Sequence, residues 1–204
     1  MLELPKGLAC LSPKRKKKLE GLCMEERKDA ALNVCVIGIK GLNHVHKIGL
    51  NKLSRIAAVW GREITAHYSS GEEMALLLRC TEYGDLVTDP VAAFPDLSGS
   101  RKREIARWLA ENRMDAADIA YTIGQTVIAR ECGFGAERMD RLNRQWERDL
   151  REFYQDREEN EPLLKKWLEE IGFIYENGKL EVYRSEGERA VRKRTAERWM
   201  EAGK

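Results

Sequence analysis

The chain has no run of the roughly 18 apolar residues that a membrane-spanning helix needs, so no such helix is expected. Its first cations follow a very short apolar segment, the reverse of the order in a secretory signal, and the expected location is the cytoplasm of a host cell. Cysteine is sparse: Cys10, Cys23, Cys35, Cys80 and Cys132 are odd in number and form no C-x-x-C pair. That pattern argues against a disulfide framework or zinc site and for reduced thiols that fill space in a core. Only three histidines are present, and no local motif joins one to a serine or cysteine nucleophile. Zinc-finger, homeodomain and RNP-like patterns are absent too, so no sequence-specific nucleic-acid readout is signalled. The expectation is a non-enzyme without metal or cofactor.

What the sequence does have is charge and repetition. Charged residues make up 34% of the 204 and hydrophobic residues 43%, enough to bury a core and suited to helices. Displaced by 86 residues without a gap, positions 11–79 align with 97–165, and 20 of the 69 pairs are identical. Ordinary composition gives about four. The pairs include Ser12/Ser98, Arg15/Arg101, Lys16/Lys102, Arg27/Arg113, Asp29/Asp115, Gly38/Gly124, Gly49/Gly135, Trp60/Trp146 and Tyr68/Tyr154. A long period occurring twice points to a small helical module copied in tandem.

The fold expected is mainly α, a tandem duplication of a three-to-four-helix module, followed by a β-hairpin and a terminal helix. The first module covers 11–79, a linker 80–96, the second module 97–165, and the hairpin with the last helix 166–204. Within each module, Ser12 or Ser98 caps a short helix (13–23, 99–111), and Asp29 or Asp115 caps a longer one (29–46, 115–132). A third helix (51–68, 137–154) carries the apolar stripe Leu53, Ile56, Trp60, Ile64, which recurs as Met139, Leu142, Trp146, Leu150. A shorter fourth helix follows Glu72-Glu73 and Glu158-Glu159. The linker holds Asp89-Pro90 and Phe94-Pro95, and Asn177-Gly178 signals a type I′ hairpin turn. The segment Gly133-Phe134-Gly135 reads as a helix-to-helix turn ended by its second glycine, because a phosphate loop requires a preceding strand and more glycines.

Metal ligands do not recur between the copies: His44 and His46 face Arg130 and Cys132. Recurrent acids do, Glu25 and Asp29 against Glu111 and Asp115, and their helical spacing suits structural pairing. Basic residues are the stronger lead. Lys52, Arg55 and Arg62 correspond to Arg138, Arg141 and Arg148 and fall within about 80° on a helical wheel, off the apolar stripe. In the second copy Asp140, Glu147 and Glu152 interleave with the arginines, whereas in the first only Glu63 lies nearby. Lys14, Arg15, Lys16, Lys17 and Lys18 add five cations to the first turns of a helix, where they oppose its dipole and call for an anionic partner. Residues 1–67 carry 13 Lys and Arg against 6 Asp and Glu, in a chain of net charge +2.

With the Gly-Phe-Gly turn and the following Ala-Glu-Arg-Met-Asp-Arg-Leu in view, the chain resembles small helical proteins encoded by phages and prophages, over about 60 residues of each copy. The resemblance implies no catalytic residue. It implies a setting in which short proteins act by binding: blocking a host defence enzyme, redirecting a polymerase, or coating nucleic acid. The leading expectation is thus a non-enzymatic protein that docks on another protein as a counter-defence inhibitor. The alternative is a nucleic-acid-binding protein using the basic first module, and a small hydrolase or nuclease comes third. The partner-contacting residues expected are the eleven cations named above.

Overall fold

The computed structural model describes residues 4–70, 86–176 and 179–182, and it is mainly helical. Ser12 accepts a 3.4 Å hydrogen bond from the Arg15 amide, and Pro13 occupies the first turn, so helix α1 (Pro13–His46) begins where the sequence predicts. It then runs on for 34 residues. The two separate helices expected over this stretch are one, because residues 24–28, Met-Glu-Glu-Arg-Lys, are all good helix formers and nothing there breaks the backbone ladder. Helix α4 (Gly99–Cys132), also 34 residues, is continuous for the same reason. Asp29 and Asp115 therefore lie inside helices and cap nothing. Each half contributes two long helices among the described residues, not three or four, the second ones being α2 (Leu50–Ser70) and α5 (Ala136–Gln155). The starts of all four helices, and the ends of α1 and α4, recur at a displacement of 86 residues.

Two left-handed residues make the corners. Lys47, φ 53°, ends α1 and Gly133, φ 64°, ends α4, so the helix-ending glycine is Gly133. Gly135, expected to hold that role, has φ −81° and stands at the N-cap of α5. Phe134 packs across to the other corner, its ring 4.4 Å from that of His46, whose Nε2 donates to the Arg138 carbonyl at 3.3 Å. The two corners therefore lie side by side. A side chain at positive φ costs about 1 kcal/mol that glycine avoids. Lys47→Gly is expected to stabilise the protein by about 1 kcal/mol and Gly133→Ala to destabilise it by about as much. Urea unfolding midpoints moving in opposite directions are the measurement, and shifts of the same sign would refute the assignment.

Contacts divide the chain into a first unit, residues 1–157, and a second, 158–204. In the first, α1 and α4 pack side by side with equivalent positions facing each other. Near their starts Leu19 and Cys23 share a cluster with Ile105, Trp108 and Leu109. A few turns on, Arg27 donates to Asn112 at 3.1 Å and Arg113 to Glu26 at 3.0 Å. Further along, Gly38 and Gly124 both face the tryptophan pair. Matching at every level means that the long helices are parallel and start at one end.

Each second helix crosses to the other half. The Trp60 indole donates to the Ala120 carbonyl at 2.8 Å, and the Trp146 indole to the Val34 carbonyl at 3.1 Å. Val34 and Ala120 are themselves 86 positions apart, so the exchange is reciprocal. The two rings, both fully buried, meet edge to face with centroids 5.3 Å apart on the axis of this approximate two-fold. Arg27 over the Tyr68 ring (4.7 Å) and Arg113 over the Tyr154 ring (5.8 Å) repeat the relation. A Cβ on Gly38 would stand 2.7 Å from the Trp146 ring and one on Gly124 2.0 Å from Trp60, so this approach depends on both glycines.

The stretch entering α4 is packed as well. Asp89 caps the single-turn helix α3 (Pro90–Ala93) by accepting from the Val91 and Ala92 amides, and Phe94 and Leu97 sink into the cluster with Leu8, Leu11 and Leu19. In the second unit, α6 (Arg157–Ile171, whose first residue belongs to the first unit) begins with Glu158 and Glu159 in its opening turn. Strands β1 (Phe173–Glu176) and β2 (Lys179–Val182) pair antiparallel. The helix expected after Glu72-Glu73, the Asn177-Gly178 turn and the terminal helix lie outside the described residues.

Candidate functional site

Parallel packing gathers at one end of the first unit two basic segments that lie 86 residues apart in sequence. Lys14, Arg15, Lys16, Lys17 and Lys18 from the start of α1 stand beside Arg101, Lys102 and Arg103 from the start of α4. Three of these eight are occupied locally. Arg15 reaches Asp96 at 3.6 Å, Lys18 donates to the Ala93 carbonyl at 2.6 Å and lies over the Phe94 ring, and Lys102 donates to the Pro95 carbonyl at 3.0 Å. These contacts tie residues 93–97 across the helix starts and wall a groove of about 500 Å³. Lys14, Lys16, Lys17, Arg101 and Arg103 form no ion pair among the described residues, and all but the half-buried Lys16 are exposed. Lys16 and Lys102, three residues before Leu19 and Ile105, share the helix faces that meet at the seam. Like charges brought together there favour an anion between or above them.

Arg15/Arg101 and Lys16/Lys102 are identical pairs of the repeat, yet only the first-copy members are among the partner contacts expected from the sequence. Nothing along a single strand of sequence says that α1 and α4 are parallel; antiparallel packing would have put these pairs at opposite ends.

The other six expected contact residues make a different surface. Arg55 pairs with Glu131 at 3.0 Å, so the first-copy stripe does not lack acidic compensation; the acid comes from α4 of the other half. Beside it, Glu63 holds Arg130 at 2.7 Å. Arg141 pairs with Glu137 at 3.3 Å and Arg148 donates to Gln145, whereas Glu147, expected between the arginines, accepts instead from the Tyr121 hydroxyl at 2.9 Å. Arg138 lies over Phe134, and Lys52 stands close enough to Cys132 to bear on its thiol. Arg62 alone borders an open, shallow face of small residues, Ala58, Gly61, Thr65 and Ala66. Nor do the stripe and the helix starts share one field. Glu131 is in the last turn of α4 and Lys102 in the first, about 40 Å apart at 1.5 Å per residue.

Of the recurrent acids Asp29 serves structure, together with its non-recurrent neighbour Glu26. Glu26, fully buried, accepts from Arg113, from the Thr88 amide at 2.8 Å and hydroxyl at 2.6 Å, and from the Val87 amide at 3.2 Å. Asp29 accepts from Arg113 at 2.6 Å and Arg157 at 2.7 Å. Both carboxylates are thereby engaged by cations, Glu26 out of reach of solvent, and the cluster locks α1, α4 and residues 87–88 together. Its asymmetry follows from position 26, which is Glu where its counterpart 112 is Asn.

Burial pushes the Cys23 thiol up to about 11 and raises Cys35 and Cys132 as well, so none of the three is a ready nucleophile. Burial, aided by the charge of Asp115, holds Asp118 up at about 6; its carboxyl opposes folding increasingly as pH rises from its ordinary 3.8 through that value. Among the described residues no group of three His, Cys, Asp or Glu side chains is placed to hold a metal ion, and no helix is long and apolar enough to cross a membrane. In comparisons with known proteins, no family model matches the chain, and neither a curated protein nor a solved structure matches it.

Proposed function

We propose that this chain is a non-enzymatic binding protein that holds a polyanionic partner at the basic end of its first unit. The observation that carries this reading is the assembly there of five cations that form no ion pair among the described residues, Lys14, Lys16, Lys17, Arg101 and Arg103, from two distant segments. The phage-type resemblance supplies a consistent setting, an intracellular one in which short proteins act by binding. Docking into an apolar protein groove fits this end less well, since its aromatic residues, Phe94 and Trp108, are buried and leave no anchor for such an interface. We further infer that the halves descend from one copied module, which in single form would have paired with a second copy. The 86-residue recurrence of helix bounds and the reciprocal tryptophan bonds support that history.

The test is affinity capture from cells expressing the protein, with and without nuclease. The quadruple variant Lys14→Glu, Lys17→Glu, Arg101→Glu, Arg103→Glu is expected to lose the partner by about tenfold or more. Its melting temperature should stay near that of the parent, because all four side chains are exposed. Arg55→Glu with Arg62→Glu should retain the partner. The reverse pattern would move the contact surface to α2.

A further inference from the structure

We propose that the ligand of the basic end is a nucleic-acid duplex, gripped by its two phosphate backbones and not read for sequence. The inference rests on the binding reading above and adds the chemistry of the partner. Its first support is symmetry. The approximate two-fold that exchanges Trp60 with Trp146 runs along the parallel pair α1 and α4, and it relates Arg15 to Arg101, Lys16 to Lys102 and Lys17 to Arg103. Of these pairs, Lys17 and Arg103 are both exposed and form no ion pair among the described residues, a matched pair on either side of an axis that leaves the protein at this end. A duplex has a local two-fold perpendicular to its own axis, which exchanges its strands. Laying one axis on the other gives each strand one member of this pair, with Lys14 and Lys16 beside the first and Arg101 beside the second. Helices in contact stand 8–10 Å apart, and long Lys and Arg side chains on their outer flanks extend that span to reach phosphates on both sides of a groove about 12 Å wide.

The second support is the composition of this end. Residues 4–20 and 89–108 contain no Asn or Gln, and their large aromatics, Phe94 and Trp108, are buried. Recognition of base edges would use polar forks such as Asn or Gln beside Arg, and binding of single strands would use exposed rings on which bases stack. Neither is present, whereas cations alone suffice for backbone contacts. Arg15, Lys18 and Lys102, held by Asp96 and the carbonyls of Ala93 and Pro95, brace the end and leave the other five for phosphate.

The experiment is fluorescence anisotropy with the full chain and a labelled DNA duplex of arbitrary sequence, against one of its single strands and against a second, unrelated duplex. Binding of both duplexes with similar affinity is expected. Affinity should fall with salt at a log-log slope of about 3 to 5, roughly 0.9 for each phosphate neutralised, and the single strand should bind about tenfold more weakly. Lys17→Glu and Arg103→Glu, two-fold mates on separate helices, should weaken the duplex by similar factors, while Arg62→Glu should not. Tighter binding of the single strand, a slope near zero, or a defect from only one of the mates would overturn the proposal. The wild-type measurements need no substitution, so a variant that failed to fold would not shelter it. Loss of the captured partner on charge reversal, with no duplex binding, would sink the duplex and leave the binding reading standing; capture unaffected by charge reversal would sink both.

Discussion

Trp146→Ala is expected to remove about 3–5 kcal/mol of stability, much of what a domain of this size possesses. Its ring is wholly buried, stacks at a tilt on Tyr121 with centroids 4.4 Å apart, meets Trp60 edge-on and donates to the Val34 carbonyl. Alanine would leave a cavity where two long helices and two crossing helices converge, and rigid helix backbones cannot close it. Trp60→Ala should be comparably severe. Because the rings touch, the double variant should cost less than the sum of the singles, by about 0.5–1.5 kcal/mol for the edge-to-face contact. Urea unfolding followed by circular dichroism gives all three values. A midpoint for Trp146→Ala close to the parent would contradict a shared core across the two halves.

Arg113→Met is expected to be equally damaging, for a different reason. The guanidinium is fully buried between Glu26 and Asp29, and methionine keeps much of its apolar stem but none of its charge. Two carboxylates would then face each other with Arg157 as the remaining cation on Asp29. Breaking such a buried cluster on one side costs about 3–5 kcal/mol. Arg27→Met, on the mirror side, loses a bond to the neutral Asn112 and its place over the Tyr68 ring, and should cost about 1–2 kcal/mol. Adding Glu26→Gln to Arg113→Met should restore part of the loss, since the orphaned charge disappears. Equal costs for Arg27 and Arg113, or no recovery in the double variant, would mean that the charges of this cluster do not govern its stability.

These two sites also show how far the sequence could be read. Helix periodicity placed α2 and α5 to within a residue or two, because the stripes through Trp60 and Trp146 are one-sided and a local pattern suffices for them. The boundary at Asp29 misled, since an Asp before two alanines suits a cap and a helix interior alike. The run of helix formers at 24–28 favours the interior, and no local signal marks the partner that the carboxylate finds there, Arg113, 84 residues away. The same limit hid the compensation of Arg55 by Glu131 and the joining of the two basic helix starts. Each is a pairing across the halves. Only the direction in which α1 passes α4 determines it, and no local spacing encodes that direction. The Gly-Phe-Gly corner was legible as a turn, but its recurring glycine drew attention away from Gly133, whose counterpart Lys47 adopts the same left-handed conformation without being glycine.

The crossing of α2 onto α4 and of α5 onto α1 has a consequence for the time course of synthesis. A helical hairpin that packed on itself would be finished as soon as its second helix left the ribosome. Here Trp60 has no carbonyl to bond until residue 120 exists, and Val34 waits for residue 146. At about 5–20 residues per second, the apolar stripe of α2 stays uncovered for roughly 3–12 s and the core-facing side of α1 for longer. During that interval a second nascent chain on the same message offers the same missing surface, in the same register, as the chain's own later half. Pairing between neighbouring chains is thus the built-in competitor of correct folding, and slow or crowded translation of residues 90–150 is the condition that favours it.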